Sequence, residues 1–248
     1  MAETLNIQKI KDQVKKEWLE LLNHDHNELI YHEFIKNSAG FFFTDFDRYL
    51  TISKLKLGSE YEADFVNIKD RWSNGIEYEF IEIEKPSSQL FTNAGVPAKD
   101  FNNALQQIRD WKRFLIDNKS YFRKHLPFYN TRVINNSCLK FTIIIGRRNE
   151  SNINIEKRNQ TAQETNIEIR SFDYLTNLLD RNENDVYPCL DSNYGDEYER
   201  SLTNPLHKAI TDSDWKKFCQ NKITITHFYK NNLEEIINLK NKYLQKIE

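Results

Sequence analysis

The sequence predicts an α/β fold in which a mixed central sheet is flanked by helices. Two amphipathic helical stripes open the chain, three short strands with tight connections follow, and helical and strand-like segments alternate beyond them. The first helix is expected over Leu5 to Leu22, where Ile7, Ile10, Val14, Trp18, Leu19 and Leu22 recur at helical spacing. A second begins near Asp25, which with Glu28 three residues later matches a capping box, and Ser38-Ala39-Gly40 ends it. Leu50 to Leu57 alternates with one break in phase, Gly58-Ser59 turns the chain, and Ala63 to Lys69 reads as the next strand. Asn74-Gly75 is a hairpin signal feeding a long strand, Ile76 to Lys85, that Pro86 stops.

Pro97 then stands where a first helical residue would, ahead of a stripe of Phe101, Ala104, Leu105, Ile108, Trp111 and Leu115. LKFTIIIG, residues 139–146, is largely apolar and β-branched, as suits a strand buried on both faces. A polar helix is expected within 152–164, a short strand at Ile167 to Ile169 and a helix from Tyr174 to Leu179. In the tail, Trp215, Phe218 and Cys219 fall at helical spacing, Ile223 to Phe228 is strand-like, and Asn232 to Ile247 reads as a last helix.

Composition narrows the function. In 248 residues, 39% are hydrophobic and 29% charged, which supports a packed core and excludes a disordered chain. No apolar run approaches a membrane span and no secretory signal is visible, so a cytoplasmic protein without a membrane partner is expected. Cys138, Cys189 and Cys219 are widely spaced and read as reduced thiols. His24, His26 and His32 belong to no recognisable ligand motif, and without a Walker A sequence no nucleotide cofactor is expected. The formal charge of −2 conceals segregation. Arg109, Lys112, Arg113, Lys119, Arg123, Lys124 and Arg132 face only Asp110 and Asp117 within 105–135, whereas 179–200 is strongly acidic. That basic run, with Arg147-Arg148 at the end of the buried strand, is suited to contact the phosphates of DNA.

The chemistry is concentrated in YEADFVNIKDRWSNGIEYEFIEIEKP. Side chains alternate along a strand, so Tyr78, Phe80, Glu82 and Glu84 share one face, and a hairpin brings Asp64 beside the glutamates. Three converging acids repel one another, and a hard divalent cation relieves the repulsion: Mg²⁺, with Mn²⁺ as a substitute. The same alternation also suits the solvated face of an edge strand.

Asp64 followed by Glu82-x-Glu84-Lys85 resembles the PD-(D/E)xK nuclease core. More specifically, GSEYEADFV, FIEIEKPSSQLFTNAGVPAKDF, ALQQIRDW, FTIIIGRR and IEIRSFDYL resemble, in that order, the nuclease domain of the Shedu anti-phage defence family. The resemblance implies a nuclease domain over 25–182, preceded by a helix in 1–24 and followed by an acidic excursion and helical extension in 183–248. It implies a Mg²⁺-dependent DNA endonuclease that assembles as a homo-oligomer, with a tetramer as one form. Asp64 and Glu82 match metal-binding acids, Glu28 an acid completing the metal shell, and Gln107 the glutamine of a helical QxxxY-type motif. The lysine usual at the third motif position is here Glu84, so Glu84 acts as ligand or base, or Lys85 swings in, or the enzyme is impaired. We expect Glu84 to do the work. The alternative reading is a catalytically impaired nuclease fold that binds DNA or serves assembly.

Overall fold

Two antiparallel turns of chain set the middle of the sheet. Strands β1 (Arg48–Leu57), β2 (Tyr61–Asp70) and β3 (Ile76–Ile83) pair in succession, with Ile52 opposite Val66 and Val66 opposite Phe80. The β2–β3 connection is longer than a two-residue hairpin. A single 3-10 turn at Trp72–Asn74 precedes Gly75, whose φ of 83° is left-handed, and the Arg71 N–H donates to the Gly75 carbonyl. The computed structural model describes residues 7–43, 48–121, 136–148, 152–180, 206–221 and 233–247.

Before the sheet come α1 (Ile7–Leu22), α2 (Glu28–Asn37) and the short α3 (Ala39–Phe43). After it come α4 (Lys99–Asp117), β4 (Leu139–Ile144), α5 (Asn152–Thr165), β5 (Glu168–Arg170) and α6 (Phe172–Leu179). The described tail holds β6 (Ile210–Thr211), α7 (Asp212–Asn221) and α8 (Leu233–Leu244). The strand order is β5-β4-β3-β2-β1-β6. β3, β4 and β5 run parallel, as the apolar β4 sequence anticipates, and β6 lies parallel to β1. The mixed α/β architecture read from the sequence is therefore the observed one.

Two local expectations are corrected. The N-cap of α2 is Asn27, whose side chain accepts from the Ile30 N–H, so Asp25 and Glu28 do not form a capping box. Asp25 instead accepts a hydrogen bond from Ser87 in the loop after β3. Pro97 precedes the N-cap of α4, Ala98, and bridges to Phe91. The backbone bridge at Pro97 closes the loop ahead of the helix.

One hydrophobic core unites the described segments. Trp18 of α1 is fully buried among Phe34, Phe42 and Phe172, and its indole N–H donates to Thr176 of α6. Leu206, Ala209, Trp215 and Tyr243 from the tail join the same core. The N-terminal helix and the described parts of 183–248 thus pack with the central segment. The acidic stretch 183–200 and the expected strand at 223–228 lie outside the described residues.

The loop after β3 is fastened to β4 by Gly146. Its N–H donates to the Lys85 carbonyl, its carbonyl accepts from Phe172, and its φ of 68° is left-handed. A Cβ there would stand 2.8 Å from the backbone oxygen of Ser88. Gly146→Ala should lower stability by about 2 kcal/mol, through left-handed strain together with that clash, measured as a reduced midpoint in denaturant unfolding.

Candidate functional site

The β2–β3 pairing stops at Phe65↔Ile81, although both strands continue. Beyond that point the start of β2 pairs with β1, and the end of β3 with β4. The sheet forks there. Carrying the register one step further sets Asp64 opposite Glu82, the juxtaposition that the alternation of side chains anticipates. Asp64 is 4% exposed and Glu82 7%.

Each acid is held by a different element. Asp64 Oδ2 accepts the Ile83 backbone N–H at 2.8 Å, while Oδ1 accepts from Lys54 Nζ of β1. Glu84 follows the end of β3 but is tied to β4, its N–H donating to the Ile144 carbonyl at 2.9 Å. Glu28 comes from the first turn of α2, and Asp100, in the first turn of α4, accepts from Ser88 Oγ at 2.7 Å. Behind Asp64, buried His32 stacks on Phe65, and its Nε2 donates to the Asp64 carbonyl at 3.3 Å.

The electrostatics record the crowding. Burial, followed by the charges of Asp64, Glu84 and Glu28, pushes the Glu82 carboxyl well above the usual range. Burial and then Glu28, Asp100 and Asp64 push Glu84 up to about 7. Glu28 is also raised, by burial first and Asp64 second. For Lys54, burial favours the neutral amine, but Asp64, by charge and hydrogen bond, with Glu62 and Glu82, raises the ammonium above its ordinary value. Burial lowers the His32 imidazole despite nearby Asp64.

The remaining sequence candidates scatter. Lys85 is exposed, yet its charge is felt by Glu84 and Glu28. Gln107 is exposed on α4, two turns along the helical stripe that begins at Asp100, and no described hydrogen bond joins it to the acids. Arg109, Arg113 and Arg148 are exposed, and Arg113 pairs with Asp110. Lys112 is turned inward, donating to the carbonyls of Thr165 and Asn166. Arg147 is anchored on Asp173 and the Leu22 carbonyl. Arg123 and Lys124 lie outside the described residues. Lys54, Asp100 and His32 are site residues that the sequence reading did not assign to it. Only Lys54 left a trace, the break in alternation between Ile52 and Leu55.

A polar cleft of about 730 Å³ adjoins the acids through Pro86 and Ser88, between the α1–α2 turn, the loop after β3 and α5. The all-oxygen donor set at the fork suits a hard divalent cation. Among the described residues, no three His, Cys, Asp or Glu side chains are already drawn together as a ligand set. Ligation of such an ion would require these side chains to close on it, with Lys54 displaced from Asp64.

A forked α/β sheet with buried acids from β2 and β3 facing each other defines a protein with an acidic site at the open end of its sheet. The family described as "Shedu protein SduA, C-terminal" matches residues 25–176, and the chain belongs to it. The Shedu family is associated with anti-phage defence. No curated protein and no solved structure matches the chain. No helix among the described residues is long and apolar enough to cross a membrane.

The raised carboxyls set the sign of a pH dependence. The native state retains protons that the unfolded chain releases near pH 4.5, so their stabilising contribution is complete below that value and is lost as pH rises through about 7. The melting temperature gained on adding Mg²⁺ should therefore be larger at pH 8 than at pH 5, about the two sides of the Glu84 titration, and Glu84→Gln should flatten the difference. Scanning calorimetry with Mg²⁺ and with EDTA measures both; an equal gain at the two pH values would contradict the reading of the site.

Proposed function

We propose that the chain is a Mg²⁺-dependent DNA endonuclease acting in anti-phage defence, with a PD-(D/E)xK core. The observation that carries this reading is the meeting of buried Asp64 and Glu82 at the fork, with Glu84 and Glu28 close enough to raise the Glu82 carboxyl. Asp64, Glu82 and Glu84 would hold the cation, and Glu28 would complete its shell. Once bound, the cation supplies a more acidic water and stabilises charge on the scissile phosphate.

The chain's own residues supply the rest. Glu84, where it is not itself a ligand, would accept the proton of the attacking water. The water oxygen bonds to phosphorus, the bridging P–O bond breaks with its electron pair leaving on the sugar oxygen, and that oxygen takes a proton from solvent. Exposed Arg109, Arg113 and Arg148 would contact DNA phosphates outside the site. A homo-oligomer would place several sites along one DNA, and Mn²⁺ would substitute for Mg²⁺ at each.

One observation favours a second reading, a nuclease fold that binds DNA or serves assembly without cutting. Asp64 is already satisfied by Lys54 and the Ile83 N–H. The affinity of the acid cluster for a divalent cation separates the two.

Linear and supercoiled DNA, incubated with the protein in Mg²⁺, Mn²⁺ or EDTA, should be cut only with metal. Glu82→Ala should reduce the rate by at least about 100-fold with its thermal melt preserved. Metal-dependent cutting that survives Glu82→Ala would sink the assignment, and intact DNA bound by wild-type protein in both metals would favour the binding module.

A further inference from the structure

Lys54 combines two features found together at no other described residue. It is the one described strand residue with a left-handed φ, 54°, and its ammonium rests on the most buried acid of the fork, Asp64. The ladder keeps its register around it, Ser53 facing Phe65 and Leu55 facing Ala63. The kink is therefore not an inserted residue. It changes which side of β1 is apolar: Leu50 and Ile52 occupy alternating positions before it, and Leu55 and Leu57 occupy the other phase after it, all four buried. A non-glycine residue held in this region is sparsely populated and persists where surrounding structure imposes it, frequently at functional sites.

The side chain is also placed to leave. Its own exposure is 39%, against 5% for Asp64, so the ammonium stands at the mouth of the fork and the carboxylate at its floor. Glu62, at 3.9 Å, offers a second resting place on the exposed side. A divalent cation that takes Asp64 must displace this ammonium, because both would compete for Oδ1. The displaced ammonium would stay at the mouth of the fork, within reach of a phosphate bound there.

We propose that Lys54 is a catalytic residue of the site, a counter-ion parked on Asp64 until a divalent cation arrives and then turned to a non-bridging oxygen of the scissile phosphate. This rests on the nuclease reading. The role requires no proton transfer to or from Lys54: its N–H hydrogen bonds move from Asp64 to the phosphate and stabilise the charge that develops there. It also answers the missing motif lysine from a different strand, leaving Glu84 free to be ligand or base.

Lys54→Met keeps the length of the side chain and asks the same left-handed φ of a non-glycine residue, but it leaves buried Asp64 without its counter-ion, so its melt in EDTA should fall while staying cooperative. Calorimetric titration of metal-free protein with Mn²⁺ should show roughly tenfold tighter binding in Lys54→Met, since the internal competitor is gone. Single-turnover cleavage by the same variant should nonetheless be about 100-fold slower, and Lys54→Arg should recover part of the rate. Wild-type cutting matched by Lys54→Met, or Mn²⁺ binding weakened in that variant, overturns the proposal while the nuclease reading stands. The same holds if Lys85→Met shows the loss expected of Lys54→Met. Wild-type protein that never cuts in Mg²⁺ or Mn²⁺ removes the nuclease reading, and this proposal with it.

Discussion

The structure turns on the hydrogen bond from the Ile83 N–H to Asp64 Oδ2. Where β2 and β3 part, each would leave backbone groups without a ladder partner, and burying such a group costs free energy comparable to a lost hydrogen bond. The Asp64 carboxylate takes the place of the missing strand. It lets β3 continue alongside β4 while β2 continues alongside β1, and it holds the fork open at a fixed width. Because the atom that satisfies the backbone is an oxygen of a carboxylate, the device that stabilises the fork also brings a negative charge to its floor.

That arrangement explains why the acids are tolerated. Glu82, Glu84 and Glu28 are all driven toward their neutral forms by burial first and by neighbouring carboxylates second, Asp64 for Glu82 and Glu28 and Glu28 for Glu84. A cluster of this kind is destabilising at neutral pH unless a cation is present. Lys54 supplies a partial answer from within the chain, and its own charged form is strengthened as a result. The surrounding core is extensive: fully buried Trp18, Trp111, Trp215, Tyr78 and Phe80 lie on elements from both ends of the chain. Locally unfavourable electrostatics can persist inside such a frame because the frame does not depend on them.

How much was legible in the sequence follows from the range of each interaction. The alternation of Tyr78, Phe80 and Glu82 and the turn before Ile76 are local, and they suffice to place Asp64 across from Glu82. The burial of β4 was legible from composition, since a largely apolar run such as LKFTIIIG suits a doubly covered strand, whereas its parallel pairing with β3 was not. Asp100 was not legible, because its place beside Glu84 depends on how α4 docks, and its spacing within the chain carries no such information. Asn27 displaced Asp25 as the cap because the two sit two residues apart with equally suitable side chains, and Ser87 engages Asp25. The two-residue β6 is too short to have a pattern. Lys112 and Arg147 read as surface cations in a basic run, yet both are consumed by internal carbonyls or Asp173, partners brought in by α5 and α6.

The phase break in β1 shows what kind of sequence signal is easily passed over. Leu50, Ile52, Leu55 and Leu57 fit neither a clean period of two nor a helix, and such an irregularity is readily treated as noise around an otherwise good strand. In the folded chain it marks the point where the backbone turns left-handed and the apolar residues of the strand change phase. The polar residue at that point is consequently the one whose direction the simple alternation cannot predict. An error in phase is thus informative in proportion to the regularity around it: the eight ladder pairs of β1 and β2 leave Lys54 no freedom to be an accident of register. A strand that keeps its pairing while turning over a single lysine toward a buried carboxylate joins the sequence irregularity, the strained dihedral and the electrostatics of the fork in one residue.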